Sequence, residues 1–161
     1  MPEILKLTRA GNPILREAMP RLNDDEILSD EVQALIANMY HTIRERKYGV
    51  GLAAPQVGVW RALSVISIRP TPLKPQRKLT EFVIINPTYE GVGERVGFEE
   101  GCISMNLDDG DVIPVETLRY KEVDARWIDR EGNEKYIRKL GGFTAHVFQH
   151  ETDHLNGKVI F

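Results

Sequence analysis

The chain has 161 residues, 42% of them hydrophobic and 28% charged, and carries a formal net charge of −3. This is the profile of one globular domain, taken as residues 1–161, and it excludes a general attraction to nucleic acid or to an anionic membrane. No apolar run is long enough to span a bilayer and no basic-then-apolar leader opens the chain, so a cytoplasmic protein is expected, and the single cysteine, Cys102, excludes an internal disulfide.

In chain order, the first regular element is a helix over 29–46. Val32, Leu35, Ile36, Met39, Tyr40 and Ile43 recur at spacings of three and four, Ser29 can cap the start, and Asp30 and Glu31 suit the positive end of the dipole. Next, Gly49-Val50-Gly51-Leu52-Ala53-Ala54-Pro55-Gln56-Val57-Gly58 suits neither a long helix nor a regular strand, and its small residues let backbone come close to something. Strands rich in Val and Ile are expected over 61–68 and 81–87. Three prolines and three basic residues make the insert between them, 70–78, a surface loop to which the sequence assigns no function.

Val123, Ala125 and Trp127 alternate before the turn Asp129-Arg130-Glu131-Gly132-Asn133, which returns the chain through Tyr136 and Ile137 as a hairpin. A last helix should begin near Phe143 or Thr144 and stop at Asn156-Gly157. The order implies an α+β domain: mixed or antiparallel strands around a C-terminal metal-binding helix, with the amphipathic helix before them.

That last helix carries His150-Glu151-Thr152-Asp153-His154. Two histidines at i and i+4 share one helix face and can grip one metal ion, with the glutamate between them reaching the bound water. The pattern is that of a metal-dependent hydrolase. A hydrolytic site usually has three protein ligands and an open position, and the candidate for the third is Cys102, in Glu99-Glu100-Gly101-Cys102-Ile103-Ser104. A buried structural cysteine is the alternative that this segment alone leaves open.

Three segments, Gly49-Val50-Gly51-Leu52-Ala53-Ala54-Pro55-Gln56, Glu100-Gly101-Cys102-Ile103-Ser104 and Gln149-His150-Glu151-Thr152-Asp153-His154-Leu155, resemble the signature segments of the peptide deformylases, in the right order. The similarity runs from Ile4-Leu5-Lys6 and Asn12-Pro13-Ile14-Leu15 to the final helix. The resemblance implies a metal-dependent hydrolase that removes the formyl group from the N-terminal formyl-methionine of nascent polypeptides, in a bacterial, phage or organellar setting. It implies one divalent ion held by Cys102, His150 and His154, characteristically Fe(II), with zinc, nickel or cobalt able to replace it. A thiolate and two imidazoles agree with such borderline ions.

Further implications follow residue by residue. Glu151 would act as general base and then general acid. The Gln56 side-chain amide and the Ile103 backbone N–H would bind the oxyanion, and Gly51 would let the substrate pair strand-like beside it. Val50, Phe98, Phe143, His146 and Val147 would line the methionine pocket, with His146 at its rim rather than on the metal. Gly49 and Gly58 read as turn glycines. Partners would be formyl-methionyl peptides and the ribosome, where a chain ending at Phe161 must dock without a longer tail or not at all.

The family pattern breaks after Ser104. A substrate-contacting arginine and a Val-Pro-Arg segment are replaced by Met105-Asn106-Leu107-Asp108-Asp109-Gly110-Asp111-Val112-Ile113-Pro114-Val115, which leaves Glu100 without its expected cationic partner. Two rivals therefore stand beside the deformylase: a related amidase with altered N-acyl specificity, and a catalytically idle peptide-binding homologue.

Overall fold

The computed structural model describes residues 1–105 and 114–161. Pro13–Arg16 is a 3-10 turn and Asp24–Ile27 a one-turn helix, α1, closed by a reciprocal cap between Asn23 and Glu26. Neither is evident from hydrophobic period, because four residues are too few to display one. Helix α2 spans Asp30–Arg44; Ser29 caps it by accepting from the Val32 N–H at 3.2 Å, and Val32, Ile36, Met39, Tyr40 and Ile43 form its buried face, as expected.

The small-residue segment contains a three-residue strand, β1 (Gly51–Ala53), followed by a 3-10 turn at Ala54–Val57. Strand β2 (Leu63–Ile68) pairs with β1 on one side and with β3 (Thr80–Glu100) on the other. Strand β2 is buried on both faces, and the period of two divides its side chains. Leu63 and Val65 join the cluster around α2, whereas Ile66 and Ile68 join a second cluster with Ile84, Val123, Ala125 and Phe148.

Strand β3 corrects an expectation. It does not stop at Pro87 but continues to Glu100, through a register shift between Ile85 and Thr88 where Asn86 adopts φ +50. Buried Asn86 makes this bend tolerable by pairing its side chain with both the N–H and the C=O of Leu22, at 2.9 and 2.8 Å. Beyond the bend the strand is polar and glycine-containing and draws its order from pairing with β4 (Val115–Ile128), which is why its sequence hides it.

Strand β4 turns at Asp129-Asn133 into β5 (Glu134–Gly141), the expected hairpin. Tyr136 and Ile137, however, lie exposed on the outer strand. The five strands form one antiparallel sheet in the order β1-β2-β3-β4-β5. Helix α3 (Gly142–Leu155) follows at once; Gly142 enters it at φ +70, a conformation that only glycine adopts readily. Helix α3 covers the face of the sheet opposite α2 through Ala145, Val147 and Phe148. The architecture is the expected α+β arrangement around a C-terminal helix.

Candidate metal centre and active site

Two chain segments meet beside β1. Helix α3 presents His150 and His154 one turn apart, and the end of β3 delivers Cys102, so that one ligating atom from each lies within 4.8 Å of the others. Cys102 Sγ is 3.3 Å from His154 Nε2. A tetrahedral ion with bonds of about 2.0–2.3 Å separates its ligand atoms by roughly 3.5 Å, so the trio has the spacing and the donor chemistry of a thiolate-bearing metal site. His150 Nδ1 contacts Glu100 Oε1 at 2.8 Å, which leaves Nε2 turned into the site, 3.9 Å from Glu151 Oε1. A carboxylate behind a histidine is the usual way of orienting a ligating imidazole.

Glu100 has a cationic partner after all, and the expectation that it lacks one is overturned. Arg119, on β4, donates from Nη2 to Glu100 Oε1 at 2.5 Å, from Nε to Glu100 Oε2 at 3.0 Å, and from Nη1 to Asp153 Oδ2 at 2.5 Å. Thr117 adds a hydroxyl to Glu100 at 2.9 Å, and Tyr89 donates to Asp153 Oδ1 at 2.7 Å. Arg119 and Glu100 are only 8% and 7% exposed, so neither charge tolerates the loss of the other. The arginine simply stands further along β4 than the Val-Pro-Arg pattern places it. Burial would raise the Glu100 carboxyl, but hydrogen bonds from His150 and Arg119 outweigh that effect and hold it at about 2.

Glu151 is buried, and burial pushes its carboxyl above the ordinary value, against the opposing pull of His150 and Ser64. Ser64 Oγ lies 2.8 Å from Glu151 Oε2 and also 2.8 Å from the Leu52 carbonyl. A Cβ on Gly51 would sit 2.6 Å from Glu151 Oε1, so Gly51 is required here for the close approach of the carboxylate. Gly51 also belongs to β1, at the edge of the sheet. Gly58, at φ +77, is the turn glycine expected, but Gly49 is not: a Cβ there would meet Ile43 Cδ1 at 2.5 Å.

Burial pushes His150 down; the adjoining Cys102 sulfur and the Glu100 and Glu151 carboxylates reverse this and raise it to about 10. His154 falls well below the ordinary value through burial and the neighbouring charge of His150. A thiol and three carboxylates, Glu100, Glu151 and Asp153, against one compensating arginine make this corner a natural seat for a cation.

Gln56 is fixed by the Ala53 N–H, which donates to its Oε1 at 2.9 Å. Its Nε2 therefore turns toward Cys102 Sγ at 3.4 Å and Ser104 Oγ at 3.1 Å. Ile103 opens the 3-10 turn Ile103–Met105, and its N–H donates to no protein acceptor among the described residues. The N-terminal segment clamps both sides, with the Thr8 N–H on the Gln56 carbonyl at 2.7 Å and the Ala10 N–H on that of Ser104 at 3.2 Å.

These residues share one cavity of about 270 Å³. Val50, Gly51, Gln56, Cys102, Ile103, His150 and Glu151 line it, as do all the expected pocket residues, Phe98, Phe143, His146 and Val147. His154 lies behind the lining. His146 is a buried wall residue rather than a rim residue, and it is not one of the three clustered ligands. The insert 70–78 contributes Thr71, Leu73, Lys74 and Arg77 to the wall, with the Arg77 guanidinium 4.4 Å above the Phe143 ring. Asp108, Asp109 and Asp111, which motivated the expectation of altered specificity, lie outside the described residues.

A family model described as polypeptide deformylase matches residues 4–161. The chain belongs to the peptide deformylase family. It is 37% identical to the peptide deformylase of Bifidobacterium adolescentis over 163 residues, which cover 98% of this chain and 71% of that protein. To the peptide deformylase of Helicobacter hepaticus it is 42% identical over 132 residues, 82% of this chain and 69% of the other.

Among solved structures, the Met-Ala-Ser-bound class I type b peptide deformylase from Acinetobacter baumannii superimposes with a TM-score of 0.86 at 31% identity, covering 99% of this chain and 98% of that one. The Synechococcus elongatus peptide deformylase in complex with actinonin gives a TM-score of 0.80 at 30% identity, over 97% and 76% of the two chains. As a peptide deformylase, the enzyme is a hydrolase of the N-terminal formyl group of newly made polypeptides.

The residues that sequence reasoning overlooked are Ser64, Arg119, Asp153 and Tyr89. Ser64 left a trace, being, with Ser67, one of two polar residues in a strand otherwise made of Leu, Val and Ile. Arg119 left none that one sequence displays.

Proposed function

We propose that Cys102, His150 and His154 hold one divalent ion, Fe(II) in the cell, and that the cavity beside it takes the first residue of an N-formyl-methionyl peptide. The observation that carries this reading is the convergence of the three ligating atoms with Glu151 and Gln56 in a single cavity. When bound, the ion supplies a Lewis acid that polarises the formyl carbonyl and makes water a nucleophile near neutral pH.

The protein's own groups do the rest. Glu151, with Oε2 held by Ser64 and Oε1 toward His150, takes the proton of the attacking water and returns it to the departing amine nitrogen. Water adds to the formyl carbon, the C–N bond breaks, and formate and a free amino terminus leave. The Gln56 amide and the Ile103 N–H donate to the oxygen that gains charge during attack. Gly51, on the sheet-edge strand β1, offers its backbone to the peptide in strand-like pairing, and Val50, Phe98, Phe143, His146 and Val147 enclose the methionine side chain. Residues 1–161 act as one catalytic domain, in the compartment where its formylated substrates are translated.

The test is formate release from formyl-Met-Ala-Ser by protein purified anaerobically with Fe(II), beside zinc-, nickel- and cobalt-loaded samples. Highest turnover with iron, and loss of metal in Cys102→Ser, are expected. Undiminished iron content in Cys102→Ser removes Cys102 from the ligand set.

A further inference from the structure

His146 stands one turn of α3 before His150, in the cavity wall between Phe98 and Val147. It is 8% exposed, its Nδ1 is buried without a partner, and neither ring nitrogen hydrogen-bonds any group among the described residues. The Phe98 ring packs on it at 4.1 Å between centroids. Burial disfavours its charged form, and a neutral imidazole has one N–H donor and one acceptor. The Nδ1 atom has almost no accessible surface and lies out of a ligand's reach, so Nε2, unpaired and not buried in that way, is the ring atom that a group entering the cavity can meet, with Nδ1 left as the acceptor of the neutral ring.

Reach identifies the atom concerned. Four residues of α-helix rise about 6 Å. In a formyl-methionyl peptide the sulfur lies five bonds from the formyl carbon, also about 6 Å at the reach of an extended chain. With the formyl group at the metal corner, the side-chain δ position therefore comes level with His146.

We infer that His146 makes this slot a hydrogen-bonding one that recognises an acceptor at the δ position of the first side chain, so that the enzyme accepts N-formyl-methionine sulfoxide peptides beside N-formyl-methionine and discriminates against norleucine. The thioether sulfur is a weak acceptor and the sulfoxide oxygen a far better one, whereas norleucine has the shape and no acceptor. A purely apolar slot ranks the three oppositely, because it strips water from the sulfoxide and returns nothing.

The inference rests on the active-site assignment above, and the experiment separates the two. The iron-loaded enzyme is assayed for kcat/KM on formyl-Met-Ala-Ser, formyl-Nle-Ala-Ser and formyl-Met(O)-Ala-Ser. The wild type should favour the sulfoxide over norleucine. In His146→Leu that ratio should drop about tenfold, the upper range for one neutral hydrogen bond, and His146→Gln, which keeps a side-chain N–H, should retain most of it. His146→Met replaces the leucine variant if that does not fold. A sulfoxide-to-norleucine ratio that is the same with and without His146 overturns the inference while the deformylase assignment stands. No formate from any of the three substrates overturns the assignment and the inference with it.

Discussion

The two ends of the cavity are built on different principles. At the metal corner the carboxylates and the Gln56 amide are committed, Glu100 to His150, Arg119 and Thr117, Glu151 to Ser64, and Gln56 to Ala53 and Ser104, while buried His154 Nδ1 has no partner among the described residues. At the other end the wall is aromatic packing and a surface insert, with Phe98, Phe143 and Arg77 in ring and cation contacts and Leu73 and Lys74 exposed. Bonded networks fix atoms to fractions of an ångström, which proton transfer needs, whereas packing tolerates changes of shape. On the proposed reading, chemistry falls to the first end and choice of substrate to the second.

Substitutions can break that division, beginning with the largest effect. Glu151→Ala should lower kcat by about 10²–10⁴-fold, the usual contribution of a positioned acid–base, with metal content unchanged by elemental analysis. If the metal is lost instead, Glu151 is part of the ligand shell and its role is misassigned. Gln56→Ala should lower kcat by roughly 10²–10³-fold, as expected for one oxyanion donor. A loss confined to KM would move Gln56 to the binding end.

Arg119→Leu should destabilise the fold by about 3–5 kcal/mol in denaturant titrations, because it leaves two acids buried without their cation. Arg44→Leu, which breaks the half-exposed pair with Glu81, should cost less than about 1 kcal/mol. The same network sets an acid limit. Glu100 has a folded value of about 2 against an ordinary 4.5, so its contribution is full above 4.5 and drains away as pH falls toward 2. Glu100→Gln should flatten that part of the stability–pH curve, and an unaltered curve would place the acid sensitivity elsewhere. The smallest effect belongs to the far wall: Phe143→Ala should raise KM by roughly tenfold, the low end for one pocket contact, with kcat nearly unchanged.

The same division explains what could be read from the sequence. The corner's proposed ligands and base stand in short, ordered segments whose spacing has chemical meaning, so His150, Glu151, His154, Cys102 and Gln56 were legible, and the fold brings them together. Helix α2 was legible because one face of it is apolar with a clean period, and the 123–137 hairpin because Val123, Ala125 and Trp127 alternate before a turn-forming segment, although Tyr136 and Ile137 on its return strand lie exposed. The far half of β3 was not, since its order comes from a partner strand rather than from its own pattern. Nor was Arg119, whose partners lie 19 and 34 residues away along the chain. The insert 70–78 looked like idle surface because proline and lysine signal a loop without saying what the loop leans on.

The length of β3 carries one more consequence. Past a second register shift, between Val92 and Arg95, Phe98 supplies the slot wall and, two residues on, Glu100 supports His150, while Gly97 before them and Glu99 between them are exposed. A strand is a ruler marked in twos. Losing one residue from the regular stretch between Arg95 and Phe98 would preserve the ladder but exchange faces, turning both side chains to solvent and drawing Cys102 back by about 3.4 Å. Losing two would restore the faces and only shorten the arm. Variation in the length of this ribbon should therefore be tolerated in pairs and punished in single steps.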